Sequence, residues 1–209
     1  MLKLYTFPKT IGLACHIALA EAGAAYELVK VDFMTNAQRA PDYLAINPKS
    51  RVPALETPQG ILTEAPAIMT YIAQTHPAAK LVPDEPFAFA EMLAFNIYLC
   101  GTVHPAAAHR HRGYRWADAP EAIEDMRRKA PLNVAECFDL IEAHMFKGPW
   151  VMGQDYSLAD PYLYVLTSWL ARDGVDSAPY PKVMEHFARM GERPAVRKVL
   201  AEVEALSAA

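Results

Sequence analysis

The sequence predicts a mixed α/β domain followed by an all-helical domain. Three observations carry that expectation. Strand-like alternation is confined to the first 63 residues, a proline-rich polar segment follows at Ala79–Pro86, and only helical periodicity runs beyond it. In order, the alternation of Leu2-Lys-Leu-Tyr-Thr-Phe predicts a strand over 2–7. An apolar stretch over 13–22 that stops at Gly23 predicts a helix. Tyr26, Leu28 and Lys30 alternate with Glu27, Val29 and Val31 in a second strand over 26–31. A short helix at 41–46 must end before Asn47-Pro48, because the residue preceding proline disfavours helical geometry. Ala54–Thr57 and Ile61–Thr63 read as a hairpin about Pro58-Gln59-Gly60, and Ala65, Ile68, Met69 and Ile72 mark one buried helix face.

The order β-α-β-α-β-β-α is that of a thioredoxin-like domain, expected over residues 1–78, with a linker at 79–86. The remainder, 87–209, is expected to be all helical, with helices at about 87–112, 120–145, 157–172, 181–190 and 194–206. Ser157 followed by Asp160 has the form of a helix N-terminus, in which the hydroxyl and the carboxylate satisfy orphan N–H groups.

Bulk properties fit a soluble enzyme. The net charge of −4 gives no general attraction to nucleic acid or to an anionic membrane. The N-terminus lacks the basic flank and long apolar run of a signal peptide, and no run approaches the ~18 uninterrupted apolar residues of a membrane span. Cys15, Cys100 and Cys137 are odd in number and widely spaced, which points to a reducing, cytoplasmic setting and to no zinc pattern. His104, His109 and His111 fit no ligand spacing, so no metal is expected. With Arg110, Arg112 and Arg115 they form a basic cluster whose uses include a solvated helix end, an interface patch and an acidic co-substrate site.

The segment Asn47-Pro-Lys-Ser-Arg-Val-Pro-Ala-Leu55, with Leu62-Thr-Glu-Ala-Pro-Ala-Ile68, carries the ligand chemistry. A cis Val52-Pro53 bond entering a strand would turn the Val52 backbone N–H and C=O outward, where a peptide can pair as an added strand. Glu64 and the free N–H groups of the helix behind it would hold an ammonium and a carboxylate. The expected ligand is a small zwitterionic peptide, and glutathione is the obvious candidate.

These residues resemble the glutathione-binding motif of the cytosolic glutathione transferases, and the resemblance runs along essentially the whole chain. Gly153-Gln-Asp-Tyr-Ser-Leu-Ala-Asp160 is similar to the family's capping motif, and Tyr180-Pro181 through Arg193-Pro194 to its closing helices. The resemblance implies that Val52 and Pro53 pair with glutathione, that Glu64 and Ala65 clamp its γ-glutamyl end, and that Lys49 and Arg51 serve its glycyl carboxylate. It also implies a homodimer and a small hydrophobic electrophile as second substrate.

Aligning His16 with the matching histidine of the bacterial beta-like branch puts that branch's catalytic cysteine on Ile11 and its following serine on Gly12, neither of which can donate a side-chain hydrogen bond. Thr10 is the nearest hydroxyl and is the expected donor to the thiolate; the alternative is that it caps the helix while backbone N–H groups of Ile11 and Gly12 serve the sulfur. His104 and Asn96 are the nearest matches to the histidine and asparagine that beta-like enzymes place on their fourth helix. Cys15, Cys137 and Tyr5 are expected to be structural. Three activities follow: conjugation of glutathione to electrophiles, glutathione-dependent disulfide or peroxide reduction without a protein cysteine, and non-catalytic glutathione binding. The helix-start motif of the maleylacetoacetate isomerase branch is absent from residues 8–15.

Overall fold

The computed structural model describes residues 1–208; Ala209, the last residue of the expected helical domain, lies outside them. The chain divides into two compact units, one comprising Met1–Asp84 together with the segment from Met190 onward, the other Glu85–Arg189.

In the first unit, β1 (Leu2–Thr6), α1 (Gly12–Glu21), β2 (Tyr26–Lys30), α2 (Pro41–Ile46), β3 (Ala54–Thr57), β4 (Gly60–Thr63) and α3 (Ala65–Thr75) follow one another. The sheet order is β2-β1-β3-β4. β1 runs parallel to β2 and antiparallel to β3, which pairs antiparallel with β4. This is the thioredoxin-like arrangement. Leu4 sits opposite both Leu28 and Leu55, so alternate residues of β1 and β3 point at one core. Leu4 and Leu55 are fully buried there with Ile17, Ile68, Met69 and Ile72. The hairpin closes on its own side chain, because the Thr57 hydroxyl donates to the Gly60 carbonyl at 2.8 Å and accepts from the Gln59 N–H.

The second unit is helical. The single helix expected over 87–112 is instead α4 (Pro86–Tyr98), a π turn (Leu99–Val103) and α5 (His104–Arg112). The reason is Pro105, which has no N–H to return to the preceding turn. The wider turn absorbs the fault, with the His104 N–H reaching back to the Leu99 carbonyl. α6 (Pro120–Leu140) also runs into a π turn, Ile141–Met145. The helix expected over 157–172 divides into α7 (Ala159–Thr167) and α8 (Leu170–Asp173). At the break the Ser168 hydroxyl donates to the Val165 carbonyl at 2.6 Å and the Trp169 N–H bonds Leu166. That local alternative competes with continued α-helix. α9 (Pro181–Glu192) and α10 (Pro194–Ala208) complete the chain.

The expected helical domain, 87–209, differs from the observed units at its end, since the last helix groups with the first unit. Polar contacts hold it there. Arg193 grips Glu21 through both guanidinium and carboxylate forks at 2.5 and 2.8 Å. Glu202 accepts from the Tyr26 hydroxyl at 2.8 Å and meets the buried His16 ring at 2.7 Å.

The helical run Pro86–Arg115 is, among the described residues, the one long and apolar enough to cross a membrane by length and composition, with a mean hydropathy of 1.3 over its richest window. Glu91 and Asn96 punctuate this run, so it holds no uninterrupted apolar stretch of ~18 residues. Only 28% of that window is buried, and Phe87 and Ile97 are among its exposed side chains.

Candidate functional site

The loop from α2 to β3 is built around Asn47, which is buried. Its amide donates to the Arg51 carbonyl at 2.7 Å and its oxygen accepts the Lys49 N–H at 3.2 Å, while Tyr43 donates a second bond to the same Arg51 carbonyl at 2.6 Å. The Ser50 N–H returns to the Asn47 carbonyl, and Ser50 itself lies in the left-handed region at φ 55°. With the Arg51 carbonyl held from two sides, the next peptide units have fixed directions. Val52 is half-buried, precedes a cis proline, and makes no backbone hydrogen bond among the described residues. An unpaired N–H and C=O at the entry to a strand offer a docking edge to an extended peptide. Tyr43, and the part Asn47 plays in building this loop, go beyond what the sequence reading assigns. The pre-proline asparagine was the available signal, since a side chain of that type readily bonds the backbone of its own turn.

Glu64 joins β4 to α3 with φ 71°, a left-handed conformation that costs a non-glycine residue about 1–3 kcal/mol. Lys9 and Ser50 share this trait, so three of the five such residues described in the chain lie in the loops expected to form the site. The twist leaves the Glu64 carboxylate exposed above the first turn of α3, where Pro66 contributes no N–H and the Ala65 N–H is not engaged among the described residues. The Lys49 ammonium sits on this carboxylate at 2.5 Å and on the Thr63 hydroxyl at 2.7 Å. Arg51 is exposed and has no acidic partner among the described residues. The expected residues Lys49, Arg51, Val52, Pro53, Glu64 and Ala65 thus occupy two loops joined by one ion pair.

At the start of α1, Gly12 is required by contact. A Cβ there would lie 2.2 Å from the Thr6 hydroxyl. Thr10 commits its single proton to the Phe7 carbonyl at 2.7 Å and accepts weakly from the Gly12 N–H at 3.4 Å. In this geometry its hydroxyl holds the loop, and donation to a sulfur would require breaking the Phe7 bond. The Ile11 N–H is unengaged among the described residues and opens the helix, where the dipole favours negative charge. Cys15 is fully buried, its thiol directed at the Ala65 carbonyl at 3.8 Å, and burial pushes its pKa far up. It is a packing residue between α1 and α3.

In the second unit, His104 opens α5 and packs edge-on against Trp169 at 5.1 Å between ring centroids. Asn96 is 2% exposed and donates to the Leu158 carbonyl at 3.2 Å. That bond ties α4 to the start of α7, while the buried amide oxygen has no hydrogen-bond partner among the described residues. Phe95 is core as well. The basic cluster is partly neutralised by the buried Asp173, which meets His111 at 3.1 Å and Arg172 at 3.0 Å. Arg172 also lies over the Trp169 ring at 4.8 Å. A shallow groove of about 450 Å³ runs between α5 and α6, lined in part by Tyr98, Thr102, Pro105, His109, Cys137 and Leu140. Among the described residues no group of three His, Cys, Asp or Glu side chains could hold a metal ion.

Comparison with known proteins gives this geometry a family. The N-terminal domain model of glutathione S-transferases matches residues 1–74, and the C-terminal domain model matches residues 96–194. A glutathione S-transferase of Xanthomonas campestris, GST-4.5, is 30% identical over 190 residues, spanning 90% of this chain and 92% of that one. A crystal structure of a glutathione transferase homologue from Sulfitobacter, with bound glutathione, superposes with a TM-score of 0.94 at 47% identity, covering 97% of this chain and 98% of that one. A beta class glutathione S-transferase from Sphingomonas chungbukensis gives a TM-score of 0.83 at 32% identity, over 96% and 98% of the two chains. With both domain models matched in order and relatives of this similarity along nearly the whole length, the chain belongs to the glutathione S-transferase family.

Proposed function

We propose that the protein is a glutathione transferase of the bacterial beta-like branch, with the usual catalytic cysteine position taken by Ile11, that joins the glutathione thiolate to small hydrophobic electrophiles. The observation that carries this reading is the docking edge. The unpaired Val52 backbone and the Glu64 carboxylate, displayed by a strained φ of 71° over a free helix start, match the three recognition elements of a γ-glutamyl tripeptide: peptide bond, ammonium and carboxylate. The cysteinyl peptide pairs with Val52, the α-ammonium meets Glu64, and the α-carboxylate receives the Ala65 N–H.

Chemistry then requires the thiol, with an ordinary pKa of about 8.5, to be held as thiolate at neutral pH. In this reading the start of α1 supplies the dipole and the Ile11 N–H, Thr10 fixes that loop through Phe7, and His104 is a second donor toward the sulfur. The thiolate lone pair forms the new S–C bond; the electrophile loses its leaving group, or its adjacent carbon takes a proton from water. Neither Cys15 nor another protein thiol takes part. The protein acts as a cytoplasmic, symmetric homodimer, a reading supported by the half-exposed apolar side chains Ile97, Leu132 and Leu140 on α4 and α6.

The test is calorimetry and turnover on the same preparations. Glutathione should bind, Glu64→Ala should weaken it tenfold or more, and an aryl halide should be conjugated. Reduction of a mixed glutathione disulfide without any conjugation would overturn the transferase reading, and an unchanged affinity in Glu64→Ala would remove the site. Sedimentation at micromolar concentration should give a dimer, and a species near 23 kDa would contradict it.

A further inference from the structure

Lys49 stands where a ligand's ammonium is expected. Its Nζ bonds the Glu64 carboxylate at 2.5 Å and the Thr63 hydroxyl at 2.7 Å, so a side chain of the protein already makes the contacts that the proposed site offers to the γ-glutamyl ammonium. Both partners are exposed, 46% for the lysine and 67% for the glutamate, so the pair is easily exchanged for another cation. A carboxylate can accept more than one hydrogen bond, but two ammonium groups sharing one carboxylate repel each other.

We infer that Lys49 is a tethered stand-in for the substrate's ammonium, and that glutathione binds by cation exchange at Glu64, the displaced Lys49 turning to the glycyl carboxylate. This rests on the glutathione reading above. Charge counting supports the second half. Glutathione brings one ammonium and two carboxylates. The ammonium replaces Lys49 on Glu64, and the α-carboxylate takes the Ala65 N–H and the helix start. One carboxylate then remains, and one lysine has just been released. Arg51, already without an acidic partner among the described residues, stands two residues from Lys49 on the same loop and marks this edge as positive. The exchange makes Lys49 a specificity residue. A ligand with an ammonium but no glycyl carboxylate must displace Lys49 and gives it nothing in return, whereas the full tripeptide returns a partner.

The experiment compares two ligands on two proteins by calorimetry: glutathione and γ-glutamylcysteine, on the wild-type chain and on Lys49→Met. The position is exposed, so the variant keeps the fold, and circular dichroism with a thermal melt checks this. γ-Glutamylcysteine should bind Lys49→Met about two- to fivefold more tightly than wild type, the range of an exposed ion pair, because the competitor is gone. Glutathione should show no such gain or should bind more weakly, so the preference for tripeptide over dipeptide shrinks severalfold. Unchanged or weakened dipeptide binding in Lys49→Met overturns the exchange, and equal tightening of both ligands overturns the transfer to the glycyl carboxylate. The underlying reading fails differently. If neither ligand binds wild type, or Glu64→Ala leaves both affinities unchanged, the glutathione site itself is wrong.

Discussion

Replacing Asp160 should destabilise the protein more than any change in the glutathione loops, and the structure gives the size. The carboxylate is fully buried and accepts the Ser157 N–H at 2.7 Å, the Val151 N–H at 2.9 Å and His186 Nε2 at 2.9 Å, with a longer contact to the Ser157 hydroxyl at 3.4 Å. Asp160→Ala strands two backbone donors and one imidazole, each costing about 1–3 kcal/mol if left dry. Water entering the gap relieves part of this, so a loss of about 3–5 kcal/mol is expected, from stranding several buried donors at once. Asp160→Asn keeps the shape and one acceptor oxygen but turns an NH₂ toward donors on one side, so about 2 kcal/mol should go. Urea unfolding, followed in parallel by far-ultraviolet and near-ultraviolet circular dichroism, measures both; coincident transitions justify a single free energy. A loss under about 1 kcal/mol in Asp160→Ala would refute the accounting, since no buried donor could then depend on that carboxylate.

The other expectations concern chemistry and pH. Conjugation should survive Cys15→Ala, and iodoacetamide should label Cys15 only on unfolding, because burial raises the thiol pKa and closes access; abolished turnover with the fold intact would force a cysteine mechanism. His104→Ala should lower turnover by about tenfold to a hundredfold, as for loss of one donor to a developing anion, and turnover within twofold of wild type would return His104 to packing against Trp169. Thr10→Val should cost about 1 kcal/mol of stability through its Phe7 bond and little turnover, whereas a large kinetic loss would make its hydroxyl the thiolate donor after all. Stability should fall as pH drops below the ordinary histidine range near ~6.5. Burial lowers the His16 pKa despite Glu202; the Glu202 pKa is also lowered, because bonds from Tyr26 and His16 outweigh its own burial; in both cases the unfolded chain binds the proton first. His16→Gln, measured by urea unfolding between pH 7 and 5, should flatten that slope, and an unchanged slope would reject the assignment.

What was legible in the sequence was what short-range chemistry dictates. Alternation placed β1 and β2, Gly60 placed the hairpin, and Pro48 ended α2, because each depends on neighbours within a few residues. The cis Val52-Pro53 bond was legible for the same reason, being written in a local pattern of a few residues. What failed depends on contacts made far along the chain. The last helix reads as part of the helical domain until Glu202 reaches His16, 186 positions earlier. Thr10 stood between two roles that share one hydroxyl, and its bond to the Phe7 carbonyl is a third that neither reading named. Lys49 is the instructive case. Its sequence position assigned it to a carboxylate of the ligand, whereas the folded loop sets it on a carboxylate of the protein, because Asn47 and the left-handed Ser50 turn the chain back over Thr63 and Glu64. In the exchange proposed above Lys49 moves between these two acceptors, and which one it holds is decided by whether a second ammonium competes for Glu64.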